Sequence, residues 1–268
     1  NVAYSLATNS HEPCKVLVWD FDLEAPGLQQ VLHCKWGQKK LGFIDLVFHF
    51  IKTGEVPSIA DYIHHTEVPD IDILPAGLMN RSNSAKFAQL NWRELYHTLQ
   101  GFTFIERVKI QLSAHKPQYD YILIDSRTGY SDVSGICTLQ LPDIVVLVFR
   151  LNDQNLDGIS KVNKIIQAHS GEKRHRRIDV IPVVSPAWPF GAMDANKQLK
   201  KAARIFSGLD LLRISFDPAL NYKEKILLEE KEKYDNPPIC ADYVGLTSKI
   251  RSLNQEDPLT ILEGGKAR

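Results

Sequence analysis

Lys15–Leu28 reads KVLVWDFDLEAPGL, and its two halves obey different rules. Val16, Leu17, Val18 and Trp19 form an unbroken apolar run, the pattern of a parallel strand buried on both faces. The run stops at two carboxylates, Asp20 and Asp22, and the turn signal Pro26–Gly27 follows. Open α/β sheets place ligand sites at the carboxyl ends of their strands. Acids at such an end can hold a hard cation or orient a water. Alternation along an extended strand would put both side chains on one face. A solvated strand end feeding a turn would use the same residues.

A second stretch repeats the design. Tyr121, Ile122, Leu123 and Ile124 lead into Asp125, and Gly129 stands four residues further on. An apolar strand followed by Asp and then Gly is a Walker B pattern. Mg²⁺ takes oxygen ligands and keeps several waters, so one or two carboxylates beside phosphates suffice. Gly129 would let backbone approach a terminal phosphate. A strand-end Asp capping the next helix is the plainer alternative.

Working outward, strand-like and helix-like segments alternate, which implies parallel strands covered by helices. Strands are expected at Val16–Phe21, Ile71–Leu74, Tyr119–Asp125, Asp143–Phe149, Ile178–Val184 and Leu211–Ser215. Helices are expected at Leu28–Trp36, Ile44–Lys52, Trp92–Leu99, Phe104–His115, Val133–Leu139, Leu156–His169, Ala192–Phe206, Tyr222–Lys233 and Cys240–Leu253. Asn1–Thr8 reads as the end of a helix, so the chain reads as a fragment that starts inside an element. With 268 residues and no repeat or low-complexity linker, one domain over 1–253 is expected, followed by a tail at 254–268.

Composition narrows the partners. Formal net charge is zero, which disfavours nucleic acid or a membrane surface. The cysteines Cys14, Cys34, Cys137 and Cys240 form no CxxC pair and read as reduced thiols in a cytoplasmic protein. No apolar stretch reaches the roughly 18 residues of a membrane span.

Four segments, KVLVWDFDLEAPGL, DILPAG (Asp72–Gly77), YDYILIDSRTGYSD (Tyr119–Asp132) and PDIVVLVF (Pro142–Phe149), together resemble a ParA/MinD-type P-loop NTPase, nearest to the branch whose deviant Walker A loop reads KGGVGR. The resemblance implies an α/β fold with a mostly parallel sheet and helices on both faces. It implies ATP with Mg²⁺, a nucleotide-dependent homodimer, and a further protein partner or domain. Asp22 matches the acid that orients the hydrolytic water, Asp20 the acid before it, Asp125 the Walker B aspartate near Mg²⁺, and Gly129 the switch II glycine.

The stretch ISFDPAL (Ile214–Leu220), with Phe216 and Asp217, resembles the segment that passes the adenine. Ser185 and Pro186 stand where the family often has an asparagine facing the base. The phosphate-binding loop itself is absent from these residues. Glu263–Gly264–Gly265–Lys266 lacks the Ser/Thr, strand and helix such a loop requires. In the family the loop precedes the helix whose end NVAYSLA resembles, so it is expected upstream of Asn1.

Two readings therefore stand: a Mg-ATP-hydrolysing switch domain, or a non-catalytic regulatory or scaffolding module that keeps the fold. Four other features carry less. Lys173–Arg177 (KRHRR) reads as a solvated loop, and His64–His65 lack metal-ligand spacing. Tyr222–Lys233 reads as a solvated helix face, and Arg127 could reach a phosphate, a partner subunit or open solvent.

Overall fold

The computed structural model describes residues 1–9, 12–23, 25–126, 135–171, 177–187, 193–221, 225–230 and 237–255. These form two compact units, each with its own mostly parallel sheet and flanking helices.

The first unit takes in most of Ala3–Pro142. Its elements are α1 (Val2–Ala7), β1 (Val16–Asp20), α2 (Leu28–Val31), α3 (Phe43–Thr53), β2 (His64–His65), β3 (Ile71–Leu74), α4 (Arg81–Gln89), α5 (Trp92–Thr98), α6 (Gly101–Ser113) and β4 (Tyr121–Asp125). The sheet order is β2-β3-β1-β4. β1 is central and pairs in parallel with both β3 and β4, while β2 joins antiparallel at the β3 edge. All five β1 residues are buried, which explains the unbroken VLVW run.

The core is aromatic directly beneath the end of β1. Trp19 lies 4.9 Å edge-on to Phe43, and Phe21 packs 4.8 Å from Phe43 and 5.5 Å from Trp92. Phe104 and Phe50 of α6 and α3 extend the cluster. Offset and edge-on ring pairs add about 0.5–1.5 kcal/mol each beyond burial.

The DILPAG segment is tied to α3. Phe43 N–H donates to Pro75 O (2.8 Å) and Ile44 N–H to Ala76 O (2.9 Å), so the first free amides of α3 end on this segment. Asp45 accepts from Gly42 N–H (2.9 Å) and pairs with Lys86. A Cβ on Gly42 would lie 2.5 Å from Gly77 Cα, and Gly77 has φ +148°, so both glycines are required by the close crossing.

The second unit takes in most of Asp143–Asn221 together with the last helix. Its elements are β5 (Ile144–Phe149), α7 (Asp153–Gly171), β6 (Asp179–Ala187), α8 (Met193–Ile205), β7 (Leu212–Ser215) and α9 (Pro238–Gln255). The order β5-β6-β7 is wholly parallel. Phe149 of β5 stacks on Phe206, just past α8, at 5.4 Å.

Two expectations are corrected. Leu28–Trp36 is helical only over Leu28–Val31; His33 takes φ +49° and Lys35 bridges to His65, so the chain turns back to the sheet edge. Residues 225–230 are turn rather than helix, and Ile226, Leu227 and Leu228 are buried rather than on a solvated face. Leu228 N–H donates to Asn1 Oδ1 (3.2 Å), which holds that turn in the first unit. Arg81–Gln89, to which the sequence pattern assigned no element, forms α4 under an Asn80 cap. Of Val133–Leu139, residues 133–134 lie outside the described set, as do Lys173–Arg176 and Glu263–Lys266; Ile136–Gln140 forms one wide helical turn. No helix among the described residues is long and apolar enough to cross a membrane.

Candidate functional site

Parallel register fixes the first cluster. Val16↔Tyr121 begins the β1–β4 ladder and Asp20↔Asp125 ends it, so the two carboxylates stand side by side at the carboxyl end of the sheet. Phe21 N–H extends the pairing by one bond to Asp125 O (3.0 Å).

Asp20 and Asp22 do not share a strand face as alternation implied. β1 stops at Asp20, and Phe21 turns into the aromatic core. Asp22 N–H then folds back onto Asp20 Oδ1 (3.2 Å), and Ala25 N–H donates to Asp22 Oδ1 (3.2 Å). Two consecutive Asx-type turns have replaced strand geometry. Asp20 is 1% exposed while Asp22 is half-buried.

The electrostatics follow from this packing. Burial, then the neighbouring Asp125 charge, push the Asp20 carboxyl up to about 7, against the opposing pull of the Asp22 and Leu28 backbone amides. The protein packed around its carboxyl and the Asp22 charge also raise Asp125, although the residue as a whole stays exposed at the strand end. Asp20 Oδ2 is buried and has no hydrogen-bond partner among the described residues. A buried orphan oxygen beside a second, exposed carboxylate is a site short of positive charge.

The donor set fits Mg²⁺, since all its ligating atoms are carboxylate oxygens. Among the described residues no three His, Cys, Asp or Glu side chains converge as a closed metal site. Mg²⁺ bound beside phosphates needs only one or two.

The second cluster ends β6 and β7. Ser185 and Pro186 lie within β6, which runs on to Ala187, and a register shift separates Val184 from Ala187 opposite β7. Phe216 N–H donates to Ala187 O (2.9 Å), bringing Phe216 and Asp217 beside Ser185 and Pro186. Ser215 N–H donates to Asp242 Oδ2 of α9 (2.7 Å), which pins the exit of β7. Gly129 and Arg127 lie outside the described residues.

Two features beside the acids were not legible beforehand. Cys137 lies close enough to Asp125 for that charge, after burial, to help push its thiol up to about 12. Gln29 is buried behind the turn and donates to Gly77 O (3.4 Å), linking the acid turn to DILPAG. The PAG glycine was the available signal for that link.

A family model described as "AAA domain" matches residues 1–178. No curated protein sequence is a significant match. Among solved structures, apo McdA from Cyanothece superposes with a TM-score of 0.66 at 16% identity, covering 92% of each chain. MinD from Pyrococcus horikoshii with Mg-ADP gives 0.61 at 18% identity, over 93% of this chain and 87% of that one. A ParA family ATPase from Chlorobium tepidum gives 0.58 at 18% identity, over 92% and 91%. The likeness extends over both units.

Proposed function

The chain belongs to the AAA domain family and has the fold of the ParA/MinD-type P-loop NTPases, and from that premise we propose that it is a Mg-ATP-binding, ATP-hydrolysing switch domain. The observation that carries this reading is the Asp20↔Asp125 register pair at the carboxyl end of parallel strands, with Asp22 held directly past it.

Asp125, exposed at the strand end, would hold the Mg²⁺ water shell. Mg²⁺ there would supply charge neutralisation for the phosphate oxygens. Asp22 orients the attacking water in line with the γ-phosphorus. The new P–O bond forms from that water as the bond to the β,γ-bridging oxygen breaks, releasing ADP and phosphate. Asp20 positions Asp22 through the 3.2 Å bond to its amide and keeps bulk water out of the strand end. The family resemblance assigns Ser185, Pro186, Phe216 and Asp217 to the base and Gly129 to the terminal phosphate.

The nucleotide-binding domain spans 1–253, with 254–268 as tail or linker. The family's phosphate-binding loop belongs on a strand that pairs with the open edge of β4. That edge carries no partner among the described residues, and its apolar Tyr121–Ile124 run is only half-buried. Active protein is a cytoplasmic, nucleotide-dependent homodimer acting on a further protein partner.

The test is phosphate release from Mg-ATP by the full-length protein and its Asp22→Asn variant. The reading expects turnover to fall by roughly 10²–10³, the size lost with one transition-state group, with ATP affinity kept within a few-fold. Equal turnover by the two proteins would contradict it.

A further inference from the structure

Helices α7 and α8 of the second unit pack against each other, and their facing stripes match in charge at one end only. On α7, Asp153, Asp157, Ser160, Lys164 and Gln167 recur at helical spacing. Lys201 of α8 answers the two acids, donating to Asp153 (3.0 Å) and Asp157 (2.9 Å). Further along the seam α8 brings Arg204, and there α7 brings Lys164. Neither of these cations has an ion-pair partner among the described residues.

Lys164 and Arg204 line one groove of about 320 Å³, the size of a small-ligand site. Its floor is Asn163, only 2% exposed. Asn163 Nδ2 donates to Ile205 O (3.2 Å). Asn163 Oδ1 is buried without a partner among the described residues. Ser160 and Gln167 add neutral donors to the walls.

Two like charges over one recess repel, and a buried acceptor without a donor is costly. An anion that also carries a hydroxyl relieves both. We propose that the α7–α8 groove binds a small phosphomonoester, with its phosphoryl oxygens between Lys164 and Arg204 and a hydroxyl of the same molecule presented to the Asn163 carboxamide. Guanidinium and ammonium groups make short, charge-assisted hydrogen bonds to phosphoryl oxygens. A compact anion fits better than a nucleic-acid backbone, because Asp153 and Asp157 stand on the same seam and the chain has no net positive charge. The groove uses none of the strand-end acids, so it stands apart from the nucleotide reading above.

The experiment is calorimetric titration of glycerol 3-phosphate into full-length wild type, Lys164→Gln, Arg204→Gln and Lys161→Gln. Glycerol, inorganic phosphate and a short DNA duplex are titrated in parallel. Lys164 and Arg204 are exposed, so both variants should fold, and thermal unfolding confirms it. Lys161 is an exposed cation of α7 outside the groove. The expected result is saturable binding to wild type, about tenfold weaker in Lys164→Gln and in Arg204→Gln and within twofold of wild type in Lys161→Gln. Inorganic phosphate should bind more weakly, and glycerol should give no heat of binding. Equal affinity in wild type and the groove variants overturns the proposal, since binding elsewhere, at the strand-end acids included, would ignore these changes. No binding of glycerol 3-phosphate overturns it too, as does equal affinity for inorganic phosphate. Tighter binding of the duplex, lost in the same two variants, would overturn it in favour of nucleic acid.

Discussion

VLVWD in β1 and YILID in β4 are nearly the same sentence, yet the fold treats them differently. β1 has a partner on each side and all five residues are buried. β4 is paired on one side among the described residues, so its apolar residues are half-buried and Asp125 is exposed. Equivalent carboxylates therefore end up with different chemistry. Asp20 is sealed, with its pKa raised to about 7, whereas Asp125 is exposed at the strand end. Residue type puts an acid at each strand end, and the neighbouring strands decide which acid can meet a cation.

The contrast breaks most sharply through the core. Trp19→Ala removes a fully buried indole from the centre of the aromatic cluster and should lower stability by about 3–5 kcal/mol. Ile124→Ala, at the paired position on β4, should cost about 1–2 kcal/mol, since part of its surface is already wet. Urea unfolding of both variants checks this, and equal losses would erase the distinction between sealed and open strands.

The pH dependence of metal-free protein sharpens the same contrast. Burial and the Asp125 charge raise the folded pKa of Asp20 from 3.8 to about 7, so between these values the fold keeps a proton that the unfolded chain releases. The stabilising contribution of that proton is fully present below pH 4 and is lost as the pH rises through 7. Asp20→Asn keeps the acceptor for Asp22 N–H and cannot ionise. Its melting temperature should match wild type near pH 4 and exceed it by several degrees at pH 8. A constant difference across that range would show that Asp20 is not buried as a charge-starved carboxyl.

A smaller effect separates the glycines of the two units. Gly42→Ala drives a Cβ into the Gly77 backbone at 2.5 Å, and should destabilise by about 1–3 kcal/mol. Gly158, inside α7, has nothing within 4 Å of an added Cβ, so Gly158→Ala should stabilise by about 1 kcal/mol through helix propensity. Thermal melts of both variants check the opposite signs.

Much of this was legible in the residues because burial of parallel strands leaves an unbroken apolar run. VLVW, DIL, YILI and IVVLVF all became strands. The acids were legible because they interrupt those runs abruptly. What escaped was set by long-range contact. Ile226, Leu227 and Leu228 look like the apolar stripe of a charged helix, but they are pulled into the first unit as a turn bonded to Asn1. The Asx turns that separate Asp20 from Asp22 depend on Phe21 packing against Phe43 and Trp92, residues far along the chain. Tyr96 and Gln140 have no local pattern linking them across 44 positions.

We place Mg-ATP at Asp125, the open acid of the pair. Titration calorimetry of ATP into full-length protein, with and without Mg²⁺, for wild type and Asp125→Ala tests it directly. Wild type should bind in a Mg²⁺-dependent way and Asp125→Ala should lose that dependence, with the folded state intact by circular dichroism. Mg²⁺-dependent binding of equal affinity in both proteins would contradict it.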